Sequence, residues 1–311
     1  MYAPSQILAR LALFASLLFG RVINMKTGII DVGSNSVRLA LMADGKTIYK
    51  TLATTRLGEG LSHTGKMSGA AIERTAQAIA RFKVRAEDDG ADRLYVFATA
   101  AVRSSSNKAE FLAAVKNVCG IEVDVISGEE EAKIGLLGAL KGRDGGIIDV
   151  GGASTEVTVQ LGGKLLYSKS VNIGTVRLYD LAQRDKTKLE KVIAERLADY
   201  GEFDASEFLM YTIGGTASRL ASIKHGLREY RPEITDGTKI TLQELSEYAD
   251  RLLTMPVEQI RATTICTNSA DIVGGGCLLM CSVMKHFGIS EITVSESDNL
   301  EGYYMLKEGA K

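Results

Sequence analysis

Short apolar runs alternate with longer amphipathic stretches from Thr27 onward. An apolar run ending at Asp31, a second over Val37 to Met42, an Asp44-Gly45 turn and a third run over Thr47 to Leu52 predict an antiparallel three-stranded meander. That start is unlike a dinucleotide-binding fold, where the first strand leads directly into a helix. Helical spacing predicts a helix from the capping residue Ser68 to Arg85, and Leu94 to Ala98 reads as a short buried strand. Phe111 to Val118 follows as a helix, Glu122 to Ile126 as a strand and Glu129 to Leu140 as a helix.

Beyond the polar turn Lys141-Gly142-Arg143-Asp144-Gly145 the opening pattern returns. Ile147 to Val150, Glu156 to Leu161, a Gly162-Gly163 turn and Lys164 to Ser168 repeat the strand, loop, strand, turn, strand order. A helix over Lys188 to Ala198, a strand over Phe208 to Ile213 and a Gly214-Gly215-Thr216 loop are expected next. Helices over Leu242 to Leu253 and Ile272 to His286, a strand over Glu291 to Ser295 and a short terminal helix complete the pattern. The expected organisation is α/β, with lobes at residues 25–142 and 143–297 and a terminal helix near 298–311 packing back on the first lobe.

The repetition extends to residue identity. Gly28-Ile29-Ile30-Asp31-Val32-Gly33-Ser34-Asn35-Ser36 returns 118 residues later as Gly146-Ile147-Ile148-Asp149-Val150-Gly151-Gly152-Ala153-Ser154. A buried strand that ends in Asp and opens into a Gly/Ser turn leaves backbone amides free for an anion. One copy is an ordinary strand-to-turn junction; two matching copies point to a phosphate clamp between lobes.

The chain has 311 residues, which suits two lobes with a cleft. Its 37 basic and 38 acidic residues leave a formal charge of −1 and no overall field to draw in nucleic acid, so anion recognition must be local. Cys119, Cys266, Cys277 and Cys281 show no paired metal spacing, and reduced thiols with a cytoplasmic location are expected. Ile7 to Phe19 is nearly all apolar, but it lacks the basic flank and cleavage site of a signal peptide and the length of a membrane span. Residues 1–24 are therefore read as a misassigned start or a disordered extension, without stable membrane association.

Six blocks in order carry a family resemblance from about Lys26 onward: Asp31-Val-Gly-Ser-Asn-Ser-Val-Arg38, Ala98-Thr-Ala-Ala-Val-Arg103-Ser-Ser-Ser-Asn107, Ser127-Gly-Glu-Glu130-Glu131-Ala132, Asp149-Val-Gly-Gly-Ala-Ser-Thr-Glu156, Gly174-Thr175 and Gly214-Gly-Thr216. The chain resembles the short form of the exopolyphosphatase/guanosine pentaphosphate phosphatase family, within the actin, sugar kinase and heat-shock chaperone ATPase superfamily. The resemblance implies two ribonuclease H-like (actin-like ATPase) domains with an interdomain active-site cleft. Ala153 stands where many members have Gly, and Ser269-Ala270-Asp271 lacks the Arg usual before Ala-Asp.

Cleavage of a phosphoanhydride requires neutralised phosphoryl charge, an in-line water and a group to orient that water. Gly33, Ser34, Asn35, Gly151, Gly152, Ser154 and Thr155 are expected to bind phosphate, with Arg103 as a bidentate phosphate ligand and Arg38 and Asn107 as weaker ones. Glu130 is expected to activate water, with Glu131 as the alternative, and the family pattern favours Glu130. Asp31, Asp149 and Glu156 are the expected shell for Mg²⁺ or another divalent cation. Arg219, Lys224, His225, Arg228 and Arg231 form a basic group that could guide a polyanion.

These assignments imply a hydrolase, and the leading expectation is release of orthophosphate from inorganic polyphosphate. The alternatives are guanosine pentaphosphate hydrolysis, a non-hydrolytic guanosine tetraphosphate sensor, and an ATP-dependent sugar or acetate kinase. A homodimer is expected.

Overall fold

The computed structural model describes residues 25–309, so the expectation for residues 1–24 lies outside the described residues. The first half runs β1 (Lys26–Val32), β2 (Ser36–Ala43), β3 (Lys46–Thr54), α1 (Leu61–Thr64), α2 (Gly69–Asp88), β4 (Arg93–Ala98), α3 (Ala100–Ser104), α4 (Lys108–Cys119), β5 (Asp124–Val125) and α5 (Gly128–Leu140). The second runs β6 (Gly145–Val150), β7 (Thr155–Leu161), β8 (Lys164–Val171), α6 (Thr175–Ala182), α7 (Lys186–Leu197), β9 (Met210–Ile213), α8 (Gly214–Lys224), α9 (Pro232–Thr235) and β10 (Lys239–Thr241). It continues through α10 (Leu242–Thr254), α11 (Val257–Thr263), α12 (Val273–His286) and β11 (Glu291–Val294) to α13 (Asn299–Glu308).

Two sheets form, ordered β3-β2-β1-β4-β5 and β8-β7-β6-β9-β11-β10. In each, an antiparallel meander is followed by parallel pairing of its first strand, β1 with β4 and β6 with β9. This is the strand order of a ribonuclease H-like domain, present twice, as in actin-like folds. Both meanders turn through two residues at positive φ, Asp44 (49°) with Gly45 (74°) and Gly162 (57°) with Gly163 (72°). Such turns match the right-handed twist of a hairpin.

Each central strand is buried on both faces, which explains its uninterrupted apolar run. Ile30 and Val32 pack under α2 and α4 with Ile79, Phe82 and Phe111. Their neighbour Ile29 points the other way, into a cluster with Phe97 of β4 and with Ile134, Leu300 and Tyr303 on α5 and α13. In the second lobe Ile148 and Val150 join the large core with Leu252, Leu279 and Met284, while Ile147 meets Leu136, Leu140 and Ile213. Thus α5 and α13 lie between the sheets. They cross in backbone contact: a Cβ on Gly138 would fall 2.0 Å from the Asp298 carbonyl oxygen, and one on Gly302 1.8 Å from that of Ile134.

Some local expectations change. The Ser-rich loop carrying Arg103 is helical as α3, and Gly214-Gly215-Thr216 forms the first turn of α8 rather than a loop. Gly214 makes that possible, since its φ of +84° turns the chain from β9 directly into the helix. The segment after α4 pairs only at Asp124–Val125, and α6 and β10 have no counterpart in the sequence reading. The four cysteines are free, and among the described residues no helix is long and apolar enough to cross a membrane.

Candidate active site

The duplicated loops face each other at the mouths of β1 and β6. Each closes with the same hydrogen bond, Gly33 N–H to the Ser36 carbonyl (3.0 Å) and Gly151 N–H to that of Ser154 (3.1 Å). The first is fastened from behind by Thr55, Arg56 and Gly58 amides donating to the Asn35 and Ser34 carbonyls. The second is fastened by α6, whose Thr175, Val176 and Arg177 amides donate to Gly151 and Gly152, while Arg177 Nε donates to the Ala153 carbonyl. Among the described residues the amides of Ser34, Asn35, Gly152 and Ala153 have no backbone partner. A Cβ on Gly152 would lie 2.7 Å from Ser34 Cβ, so the loops touch across the cleft. Ala153 keeps a negative φ, so its departure from Gly is accommodated.

Between the loops lies an inner cavity of about 110 Å³ lined by Asp31, Gly33, Ser34, Asn35, Arg38, Glu131, Asp149, Gly151, Gly152, Ser154 and others. It opens into an outer cavity of about 540 Å³ walled by Lys50, Ser218, Arg228, Tyr230 and Glu296. Arg38, Leu52, Gly214, Gly215, Arg219 and Ser269 belong to both walls.

Three buried carboxyls dominate the electrostatics. Burial first, then Glu156, push Asp149 up to about 8, against an Asn299 Nδ2 hydrogen bond to Asp149 Oδ2 (2.9 Å). Burial and Glu156 likewise hold Glu131 well above the usual range, against Arg103. Glu156 is also raised by burial, although Ser170 donates to its Oε1 at 2.6 Å. Burial disfavours the ionised form of each, and a cation beside them would favour it again. In the first lobe Arg38 contacts Asp31 and Asp298 at 2.6 Å each. Burial still outweighs Arg38 at Asp31, whose carboxyl is raised. At Asp298, burial is overcome by Arg38 and Lys50, which pull the carboxyl to about 2.

The geometry places the residues singled out in the sequence unequally about the cavity. Glu130 is exposed and outside the cavity: its carboxylate accepts the Ser127 N–H (2.8 Å) while Ser127 Oγ accepts the Glu130 N–H (3.1 Å), a capping box that starts α5. Glu131, one position on, is the carboxylate that enters the cleft. Arg103 does not line the inner cavity; it donates to the Ile126 carbonyl and to Glu131 Oε2, each at 2.9 Å, and so orients Glu131. Thr155 turns away, donating to the Ile173 carbonyl at 2.6 Å. Asn107 joins the Met67 backbone N–H and carbonyl at 2.9 Å each.

The three expected metal ligands do not converge, and among the described residues no group of three or more potential ligand side chains is poised for an ion. Glu156 lies behind the cavity wall, opposite Asp149 in the strand register. Asp31 and Asp149 do line the cavity. Asp31 Oδ1 is buried without a hydrogen-bond partner, and among the described residues the hydrogen bond to the Asp149 carboxyl goes to its Oδ2. Two hard oxygen donors facing a phosphate-sized space fit magnesium, which uses few protein carboxylates and keeps water and substrate oxygens.

Of the basic group, Lys224 pairs with Glu244, Arg231 with Glu233, and His225 meets Thr238. Only Arg219 and Arg228 face the cleft. Asn299 and Thr99 were not anticipated as cavity residues; Asn299 follows Asp298, a helix cap that carries no local signal of chemistry.

Solved structures share this architecture. An exopolyphosphatase from Cytophaga hutchinsonii superposes with a TM-score of 0.80 at 23% identity, covering 92% of this chain and 99% of that one, and establishes the fold. The Aquifex aeolicus member of the Ppx/GppA family superposes with a TM-score of 0.72 at 26% identity, covering 92% and 99%. Exopolyphosphatase 2 of Mycobacterium tuberculosis is 28% identical over 316 residues, 91% of this chain and 99% of the relative. The bifunctional 3-dehydroquinate synthase/phosphatase of Fusobacterium nucleatum is 26% identical over 306 residues, 90% of this chain, and the chain spans only 46% of that relative's length. A match of residues 39–308 to the Ppx/GppA phosphatase family places this chain in that family as a phosphatase of the hydrolase class.

Proposed function

We propose that the chain is a magnesium-dependent exopolyphosphatase that releases orthophosphate from the end of inorganic polyphosphate. The observation that carries this reading is the phosphate-sized inner cavity, with unpartnered loop amides on two sides and the Glu131 carboxyl on its wall. The loop amides and the Ser34 and Ser154 hydroxyls bind the terminal phosphoryl and fix its orientation. Glu131, held by Arg103, accepts a proton from water as the water oxygen bonds to phosphorus. The bridging P–O bond breaks, and the shortened chain leaves with the electron pair and takes up a proton. Asp31 and Asp149 would hold magnesium, which supplies charge neutralisation on the phosphoryl oxygens when bound. The names of the Mycobacterium tuberculosis relative and the Cytophaga hutchinsonii structure support polyphosphate as the substrate class.

A phosphate-release assay with polyphosphate and Mg²⁺ tests the proposal: wild type releases orthophosphate and Glu131→Gln does not. Absence of release by wild type across chain lengths and divalent cations sinks it. The outer cavity of about 540 Å³ also admits a nucleoside, which keeps guanosine pentaphosphate as the second reading. The ratio of kcat/KM for the two substrates decides between them.

A further inference from the structure

Arg219 stands where the inner cavity opens into the outer one and lines both. Arg38, the other arginine on both walls, is neutralised by Asp31 and Asp298, whereas Arg228 lines the outer cavity alone. Among the described residues Arg219 has no carboxylate partner and no side-chain hydrogen bond. Burial presses its guanidinium below the ordinary range, only Cys266 opposes that, and Arg38 adds to it. A partly buried cation without a counter-charge is costly in an empty cleft and becomes favourable when an anion arrives.

Its direction follows from the helix. Side chains on a helix lean toward the N-terminus, and here the guanidinium folds back over Gly215, where a Cβ would lie 2.6 Å from Arg219 Nη1. The glycine leaves room for the cation beside the first turn of α8, so guanidinium and helix N-terminus present positive charge to the same space. Ser269, which occupies the place where the resemblance leads one to expect an arginine, lines both cavities too. The cation lacking at 269 is thus available from α8.

We propose that Arg219 binds the phosphoryl group adjoining the one under attack, and so restricts the site to substrates with at least two linked phosphates. This rests on the reading that the inner cavity holds the terminal phosphoryl. Glu296, a carboxylate on the outer wall, is occupied by Ser218, Tyr230 and Thr235 hydroxyls and does not pair with Arg219.

The test is calorimetric titration of the full chain with tripolyphosphate and with orthophosphate in Mg²⁺, for wild type, Arg219→Ala and Arg219→Lys. The alanine variant is expected to bind tripolyphosphate about 10- to 100-fold more weakly, to bind orthophosphate within about twofold of wild type, and to be partly rescued by lysine. Its thermal midpoint should not fall, because no internal partner is lost; a purely structural arginine would lower it. Unchanged tripolyphosphate affinity in Arg219→Ala, an equal loss for both ions, or no tripolyphosphate binding by wild type overturns the assignment. Wild type that binds tripolyphosphate through Arg219 yet releases no phosphate refutes the hydrolytic reading and leaves this one standing.

Discussion

Asp31 and Asp149 hold the same place in two copies of one strand-turn-strand unit, yet opposite charges face them across the ladder. In the first lobe the register partner of Asp31 is Arg38; in the second, the partner of Asp149 is Glu156. The same backbone therefore makes an ion pair on one side and an acid pair on the other. Opposed like charges in a sheet are unfavourable, and burial makes them more so. In the second lobe burial raises both carboxyls, and a cation that offsets their charge is favoured there. In the first, Arg38 spans Asp31 and Asp298 and so ties the strand to the start of α13, while Asp31 Oδ1 stays without a partner. Duplication supplied the clamp; divergence at one register position divided the labour.

The largest expected effect tests the acidic side. Glu131→Gln should lower kcat for phosphate release by about 10³-fold, ~4 kcal/mol of transition-state stabilisation, with folding intact by circular dichroism. Retained activity would remove Glu131 from the reaction.

The next acts on the neutralised side. Arg38→Ala leaves Asp31 and Asp298 without their shared cation and should cost about 3 kcal/mol in urea unfolding, at the low end for a buried pair because the Arg38 side chain is 18% exposed. An unchanged midpoint would show that the first lobe does not depend on this pairing.

A pH series sharpens the same contrast. The Asp298 carboxyl is held at about 2 in the folded chain, below its ordinary 3.8. A depressed carboxyl contributes stability that is present above its unfolded value and lost as pH falls through its folded one. Stability should therefore drop by about 2 kcal/mol between about pH 4 and about pH 2. Asp298→Asn should flatten that part of the curve; equal slopes would assign the acid sensitivity elsewhere.

The smallest effect separates two adjacent glutamates. Glu130→Ala removes one arm of the α5 capping box and should cost about 1 kcal/mol of stability, with kcat within about twofold of wild type. A catalytic collapse would restore Glu130 to the chemistry.

Features fixed within a few residues were legible in the chain. The Asp31 and Asp149 loops, the two hairpin turns and most helices follow from local apolar period and turn residues. The Glu130 and Glu131 assignment was also local in principle: Ser127 with Glu130 three positions later is a capping-box spacing, which consigns Glu130 to the helix end and rotates Glu131 inward. Arg219 was read within a basic group, but its place on the first turns of a helix was not, because Gly214-Gly215-Thr216 look like a loop until the positive φ of Gly214 is known. What sequence spacing could not carry is convergence. Whether Thr155 or Glu156 faces the cleft, and whether three acids meet at one point, depends on how separate strands and lobes are oriented.

The late position of α13 has a consequence during synthesis. Asp149 is joined to the chain 150 residues before Asn299 reaches it, and Arg38 260 residues before Asp298. A nascent chain that has completed both sheets through Val294 still lacks the helix that orients one acid and neutralises the cation beside the other. Until α13 joins the fold, Asp149 lacks its Asn299 contact and Arg38 its Asp298 contact, so the two acids of the cleft are brought into their final surroundings by the same late segment.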